Sequence, residues 1–265
     1  MNQDKGMNAP VDAASPVLRC VGIAKFFGGV RALAGVSIDL FAGQIVGLVG
    51  DNGAGKSTFI KILSGLLQPD SGQIWFDEHL IHNLTPEKAR NWGIETVYQN
   101  LELCDDLSAE ANVMLGQEKI RFQLGPFRFV DRRWAVRETK QRLAQLGIEL
   151  QDYESPVRRF SGGQRQAIAI ARATVKGRRL VIFDEPTAAL GLRQTEATAR
   201  LIKQVAAQKV AVILISHSLE QIFSLADRII SLRLGEVTLD ESARQTTPDE
   251  VRALMSGQRR KGERR

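Results

Sequence analysis

Residues 50–58 read Gly50-Asp51-Asn52-Gly53-Ala54-Gly55-Lys56-Ser57-Thr58, the spacing G-x-x-x-x-G-K-S of a loop that wraps a polyphosphate. Glycines let the backbone come close enough for successive N–H groups to point at the anion, and a helix opening at Lys56 adds its positive end. In that arrangement the Lys56 ammonium reaches the β- and γ-phosphates and the Ser57 hydroxyl ligates Mg²⁺. A nucleoside triphosphate is the ligand this chemistry serves. Farther along, Asp184 and Glu185 follow the apolar residues Leu180 to Phe183. Two carboxylates at the mouth of a hydrophobic strand carry a desolvation cost unless a cation is near. Asp184 is placed to hold Mg²⁺ through water, and Glu185 to polarise the water that attacks the γ-phosphate.

These groups need a scaffold that brings them together. The apolar run Ile45–Val49 precedes the glycine-rich loop, and Phe59, Ile60, Ile62, Leu63, Leu66 and Leu67 follow at helical spacing. Unbroken apolar runs return at Leu180–Phe183 and Val210–Ile215, the second ending in Ser216-His217. Such runs, alternating with helical segments, predict a parallel sheet covered on both faces, with ligands at the carboxyl ends of its strands. Gly50, Asp184 and His217 all fall at those ends. Val36, Ile38 and Leu40 alternate with polar neighbours, and Asp70-Ser71-Gly72 turns into Ile74-Trp75-Phe76, which predicts a small antiparallel layer beside the loop. Asp131 can cap a helix carrying Val136, Leu143 and Leu146 and stopped by Gly147, so a helical insert is expected near residues 100–175.

A chain of 265 residues, 43% hydrophobic, can bury a substantial core. Cys20 and Cys104 stand far apart with no C-x-x-C, which disfavours a disulfide framework or a thiolate zinc site and fits a reducing compartment. No apolar run is long enough to span a bilayer. The formal charge is +6, of which +4 comes from the last seven residues, Arg259 to Arg265, with five basic side chains against Glu263. A basic terminus can attract nucleic acid or anionic lipid, but a solvated, disordered end is the plainer reading.

The order of the glycine-rich loop, Gln99, Ser161-Gly162-Gly163-Gln164, Asp184-Glu185-Pro186-Thr187 and His217 resembles the ATPase subunits of ATP-binding cassette transporters, over about residues 17–245. The resemblance implies an α/β fold: a P-loop NTPase core of the RecA-like kind with a small antiparallel β layer and an inserted α-helical subdomain. It implies ATP and Mg²⁺ as ligands. By the same likeness Gln99 sits near Mg²⁺ and the attacking water, His217 contacts the γ-phosphate and positions Glu185, and Phe27 stacks on adenine; a core aromatic beside Phe26 is the alternative for Phe27. His79 and His82 match nothing in the family and read as surface residues. Ser161 and Gly163 resemble donors to the γ-phosphate held by an opposite subunit, so one loop and one signature per chain imply a homodimer that completes two shared sites.

The stretch Gly162–Ala173 with Pro186-Thr187-Ala188-Ala189-Leu190-Gly191 is similar to bacterial monosaccharide importers of the ribose and fructose type. Many of those are two fused cassettes, whereas this chain has one. The likeness implies transmembrane permease subunits as partners, a periplasmic sugar-binding protein indirectly, and a place at the cytoplasmic face of the inner membrane. The segment Leu101–Leu115 is then the surface that grips the permease. Two positions depart from the family pattern. Phe160 replaces a leucine, a packing change, and Gly191 replaces an aspartate that links the two nucleotide sites, which implies weaker coupling between them. Alternative readings are a cassette ATPase acting on nucleic acid and a regulatory subunit with little turnover. The first is disfavoured by the lack of coiled-coil or zinc inserts and of a second cassette, so no nucleic-acid partner is expected, and a GTPase is disfavoured by the lack of an Asn-Lys-x-Asp motif. The expected organisation is a disordered segment over 1–16, the ATPase domain over 17–245 with its helical subdomain near 100–175, and a C-terminal segment over 246–265.

Overall fold

The computed structural model describes residues 15–174, 177–188 and 190–258. β1 (Leu18–Phe27) turns back into β2 (Val30–Leu40), and β3 (Ile45–Val49) runs into the glycine-rich loop and α1 (Lys56–Leu63). There follow β4 (Ser71–Phe76), β5 (His79–Ile81), α2 (Pro86–Asn91), β6 (Ile94–Val97) and α3 (Ala109–Val113). A hairpin of β7 (Ile120–Leu124) and β8 (Phe127–Val130) leads to α4 (Arg132–Gln145), and α5 (Gly162–Ala173) precedes β9 (Leu180–Asp184). The chain closes with α6 (Leu192–Ala207), β10 (Ala211–Ile215), α7 (Leu219–Leu225), β11 (Arg228–Arg233), β12 (Glu236–Ser242) and α8 (Pro248–Met255).

The larger sheet has the order β12-β11-β3-β10-β9-β6. All its pairings are parallel except β11 with β12. Every residue of β3 and β10 is buried. The side chains alternate between two cores: Val181, Phe183, Val212 and Leu214 join the helices α4 to α7 on one face, while Leu180, Ile182, Ile213 and Ile215 join α1 and the antiparallel strands on the other. This is why those strands read as unbroken apolar runs instead of alternating ones. The second sheet, β2-β1-β4-β5, is antiparallel throughout.

Local signals set several boundaries. The Asp131 carboxylate accepts from the Trp134 N–H at 3.0 Å and starts α4 as expected. Other expectations are corrected. The stretch 100–175 is not purely helical, because β7 and β8 form a hairpin around Gly125-Pro126. α1 ends at Leu63, with Ser64 as its C-cap, so Leu66 lies past the helix and is exposed. The fold also runs past residue 245: α8 packs on β11 and β12 with Val251 buried. Of the expected disordered N-terminal segment, residues 15–16 are described, and the Ser15 hydroxyl donates to Glu78. Residues 1–14 and the basic tail 259–265 lie outside the described residues.

Gly47 ties the sheet to the helix that follows His217. A Cβ there would come within 2.5 Å of Ile222 Cγ2 and 3.3 Å of Ala226 Cβ, so the absent side chain is what lets α7 lie on β3. Gly47→Val is expected to destabilise the protein by about 1–3 kcal/mol through overpacking, read as a lower midpoint in urea unfolding with an unchanged slope.

Candidate functional site

The loop after β3 holds its shape because two of its three glycines sit where a side chain has no room. Gly50 (φ +153°) and Gly55 (φ +109°) adopt backbone angles that disfavour other residues, and a Cβ on either would lie 2.4 Å from the Leu232 carbonyl oxygen or 2.6 Å from that of Ala32. Lys56 is the first residue of α1, and its ammonium donates to the carbonyls of Gly50 at 2.6 Å and Asp51 at 3.0 Å. The loop thus cradles its own lysine.

Beyond the loop lies a cavity of about 480 Å³, lined by Asn52 to Thr58, Phe27, Gln99, Asp184, Glu185 and His217. Gly50 and Asp51 do not line it; their carbonyls hold Lys56, which does. Phe27 lines the cavity and is 48% exposed, which overturns the reading of Phe27 as a core aromatic. His79 and His82 are exposed as expected.

Asp184 ends β9, and Glu185 follows with φ +53°, a conformation uncommon for a residue with a side chain. The strained turn is held by the Glu185 N–H, which donates to the Ile215 carbonyl at 3.0 Å. The turn directs the carboxylate to His217, whose backbone N–H donates to Glu185 Oε2 and whose Nε2 lies 3.3 Å from Glu185 Oε1. That last contact is too poorly aligned to be a hydrogen bond, and Oε1 is buried with no hydrogen-bond partner among the described residues. The carboxylate thus keeps acceptor capacity that the described residues do not satisfy.

Charges in the cavity act on one another. Burial pushes the Asp184 carboxyl up from its ordinary range, against the pull of Lys56 and His217. Burial likewise pushes Glu185 up, against His217. Burial lowers Lys56, opposed by Glu185, Asp51 and Asp184.

Ser161 and Gly163 are not in this cavity. Ser161 caps α5: its hydroxyl accepts from the Gln164 N–H at 3.3 Å while the Gln164 side chain accepts from the Ser161 N–H at 2.9 Å. This exposed helix start lies beside the start of α6, with Gly162 near Leu190 and Gly163 near Gln194. Phe160 packs against the helical core, in keeping with a change of packing alone. Gly191 caps α6 without a side chain, at φ −73° and with open space around its Cα.

Two sets of contacts escaped the sequence reading. Gln221 Oε1 accepts from the hydroxyls of Thr187 and Ser216, each at 2.8 Å, joining the turn after Glu185 to the turn before His217. The Arg172 guanidinium of α5 donates to the carbonyls of Leu101 and Glu102, at 2.8 and 2.7 Å, where both residues have positive φ. The chain just past Gln99 is therefore fastened to the helix that starts at Ser161. Neither set is local in sequence. Only the apolar spacing that places Arg172 in the last turn of a buried helix could have hinted at the second.

This fold and this cavity are those of a P-loop ATPase, and the chain belongs to the ABC transporter family, whose profile matches residues 33–188. It is 40% identical over 248 residues to the fructose import ATP-binding protein FrcA of Rhizobium meliloti, which covers 92% of this chain and 95% of that protein. It is 40% identical over 249 residues to the ribose import ATP-binding protein RbsA 2 of Rubrobacter xylanophilus, covering 94% of this chain but 47% of the relative. The chain thus spans nearly all of the first protein and about half of the second. Among solved structures, the ADP conformation of MJ1267, an ATP-binding cassette of an ABC transporter, superposes with a TM-score of 0.75 at 23% identity, over 92% of this chain and 96% of that one. A dimeric post-hydrolysis cassette, MJ0796 with ADP and Pi, has a TM-score of 0.70 at 26% identity, over 86% and 99%.

The raised carboxyl groups make a prediction for the nucleotide-free protein. A carboxylate whose folded pKa lies above its unfolded value binds more protons when folded, so stability falls as pH rises through that window and the penalty stands in full at neutral pH. Asp184→Asn and Glu185→Gln remove the charge, and each is expected to raise the melting temperature at neutral pH. The gain should disappear below the ordinary carboxyl range, as followed by calorimetry across pH.

Proposed function

We propose that this chain is the ATP-hydrolysing subunit of a monosaccharide importer, working as a nucleotide-sandwich dimer at the cytoplasmic face of the membrane beneath a permease. The observation that carries the catalytic part is the gathering of Glu185, His217, Asp184 and Lys56 around one cavity with the glycine-rich loop. The likeness to the fructose and ribose import proteins supports the sugar class. No helix among the described residues is long and apolar enough to cross a membrane, which suits a subunit that energises a separate permease.

In this reading the N–H groups of residues 50–58 and the start of α1 bind the phosphates, and Lys56 leaves its loop carbonyls for the β- and γ-phosphates. Phe27 stacks on the base from the rim. Glu185 takes the proton of the attacking water, while His217 holds the carboxylate and meets the γ-phosphate. The donor set fits Mg²⁺: Ser57, Gln99 and Asp184 offer only oxygen, and no cluster of three or more His, Cys, Asp or Glu among the described residues could hold a metal by itself. Such sparse ligation suits a cation that keeps waters and is completed by substrate phosphates. When bound, it neutralises charge on the phosphates.

Ser161, exposed, and Gly163, half-buried, lie outside the cavity of their own chain and serve the ATP of a second copy. The helical subdomain near 100–175 meets the permease through exposed residues of Leu101–Leu115, such as Leu107 and Leu115. Gln99 passes on the state of the nucleotide.

Glu185→Gln is expected to keep ATP binding and to lower hydrolysis by about two to four orders of magnitude, with binding and phosphate release measured on one preparation. Unchanged turnover would remove Glu185 from the role of base. Specific activity should rise with protein concentration, and Ser161→Arg should abolish hydrolysis while leaving ATP bound; light scattering of ATP-bound Glu185→Gln should give a dimer. A monomer with the same activity per chain at every concentration contradicts shared sites. For the sugar class, cells lacking this chain should lose uptake of labelled fructose, ribose, xylose or arabinose and recover it with the wild type but not with Glu185→Gln.

A further inference from the structure

The β7–β8 hairpin stands out from the rest of the surface. Phe122 pairs with Phe129 and Leu124 with Phe127 across the strands, so four apolar side chains share one face. They are 53%, 44%, 69% and 68% exposed in that order, and the rings of Phe122 and Phe129 stack at 4.4 Å. Single exposed apolar residues need no explanation, but a contiguous face of this kind marks a contact surface. The hairpin makes little contact with any other element. It is tied down at its base, where the Asp131 N–H donates to the Lys119 carbonyl and the Lys119 ammonium lies over the Trp134 ring. A two-stranded ribbon with its apolar face in water is marginal by itself.

Charge decides between possible occupants. Residues 119–130 carry Lys119, Arg121 and Arg128, all exposed, and no Asp or Glu. The cytoplasmic loops of membrane proteins are themselves rich in Lys and Arg, so a basic hairpin is repelled by a permease's loops and drawn to the anionic headgroups of the inner leaflet. Aromatic residues alternating with arginine match the boundary between headgroups and acyl chains, where one side is apolar and the other charged. We propose that the hairpin is a membrane-surface anchor that inserts its phenylalanine face into an anionic bilayer beside the permease. The nearness of a bilayer rests on the transporter reading above; the affinity for lipid does not.

The test is flotation of the full-length protein with vesicles of phosphatidylcholine, with and without phosphatidylglycerol. Binding is expected with the anionic vesicles only, and about tenfold weaker binding in Phe122→Ser/Phe127→Ser and in Arg121→Gln/Arg128→Gln, both keeping wild-type ATP hydrolysis in solution. The arginine variant leaves the apolar pairs in place and so remains informative if the phenylalanine variant unfolds. No binding by the wild type, equal binding to phosphatidylcholine alone, or unchanged binding by both variants, as when the basic C-terminus carries it, would overturn the proposal. Reduced self-association in the variants without any vesicle binding by the wild type would assign the face to a second copy instead. A protein inactive in hydrolysis that still binds anionic vesicles through these residues would support the anchor while overturning the catalytic reading.

Discussion

Burial of the parallel sheet on both faces is the constraint on which the site depends. Charged groups cannot lie along β3, β9 or β10, whose side chains alternate between two apolar cores, so they collect where the strands stop. At those ends stand the glycine-rich loop, the Asp184-Glu185 turn and the Ser216-His217 turn. Each fully buried Leu, Ile, Val or Phe contributes about 1.5–3 kcal/mol. The many such residues in these strands outweigh the partial dehydration of three ionised groups at their edge, which is why the unfavourable charges persist.

Those charges are organised, not cancelled. Lys56 is held by two carbonyls of its own loop, and the nearer carboxylates oppose the burial that would otherwise neutralise it. Glu185 pays twice, in desolvation and in a left-handed backbone, and keeps a buried oxygen without a hydrogen-bond partner among the described residues. Strain and an unused acceptor at one residue are features that a purely structural turn would shed, because asparagine or glycine fits that conformation more easily. The Gln221 bridge between the two turns holds the geometry from behind.

The chain's own Ser161 and Gly163 do not line the cavity; they stand at the start of α5. Arg172 lies near the other end of that helix and grips the backbone just after Gln99. One helix therefore joins the Ser161 turn to the backbone just past Gln99, which lines the cavity.

Local chemistry was legible in the sequence. The loop glycines, the capping of α4 by Asp131 and the unbroken apolar strands follow from backbone sterics, hydrogen-bond satisfaction and burial, each readable within a few residues. The fold class and the gathering of Gly50, Asp184 and His217 at one edge followed because parallel strands align their carboxyl ends. The β7–β8 hairpin escaped although Ile120, Phe122 and Leu124 alternate before Gly125-Pro126, because an apolar face turned to solvent breaks the rule that links pattern to core. The packing of α8 beyond residue 245 and the contacts of Gln221 and Arg172 join segments that nothing local relates; Arg172 and Leu101 are 71 residues apart. Spacing along the chain determined which groups could do chemistry. Only the folded sheet and its helices decided which of them share a cavity, since that depends on packing between elements distant in sequence.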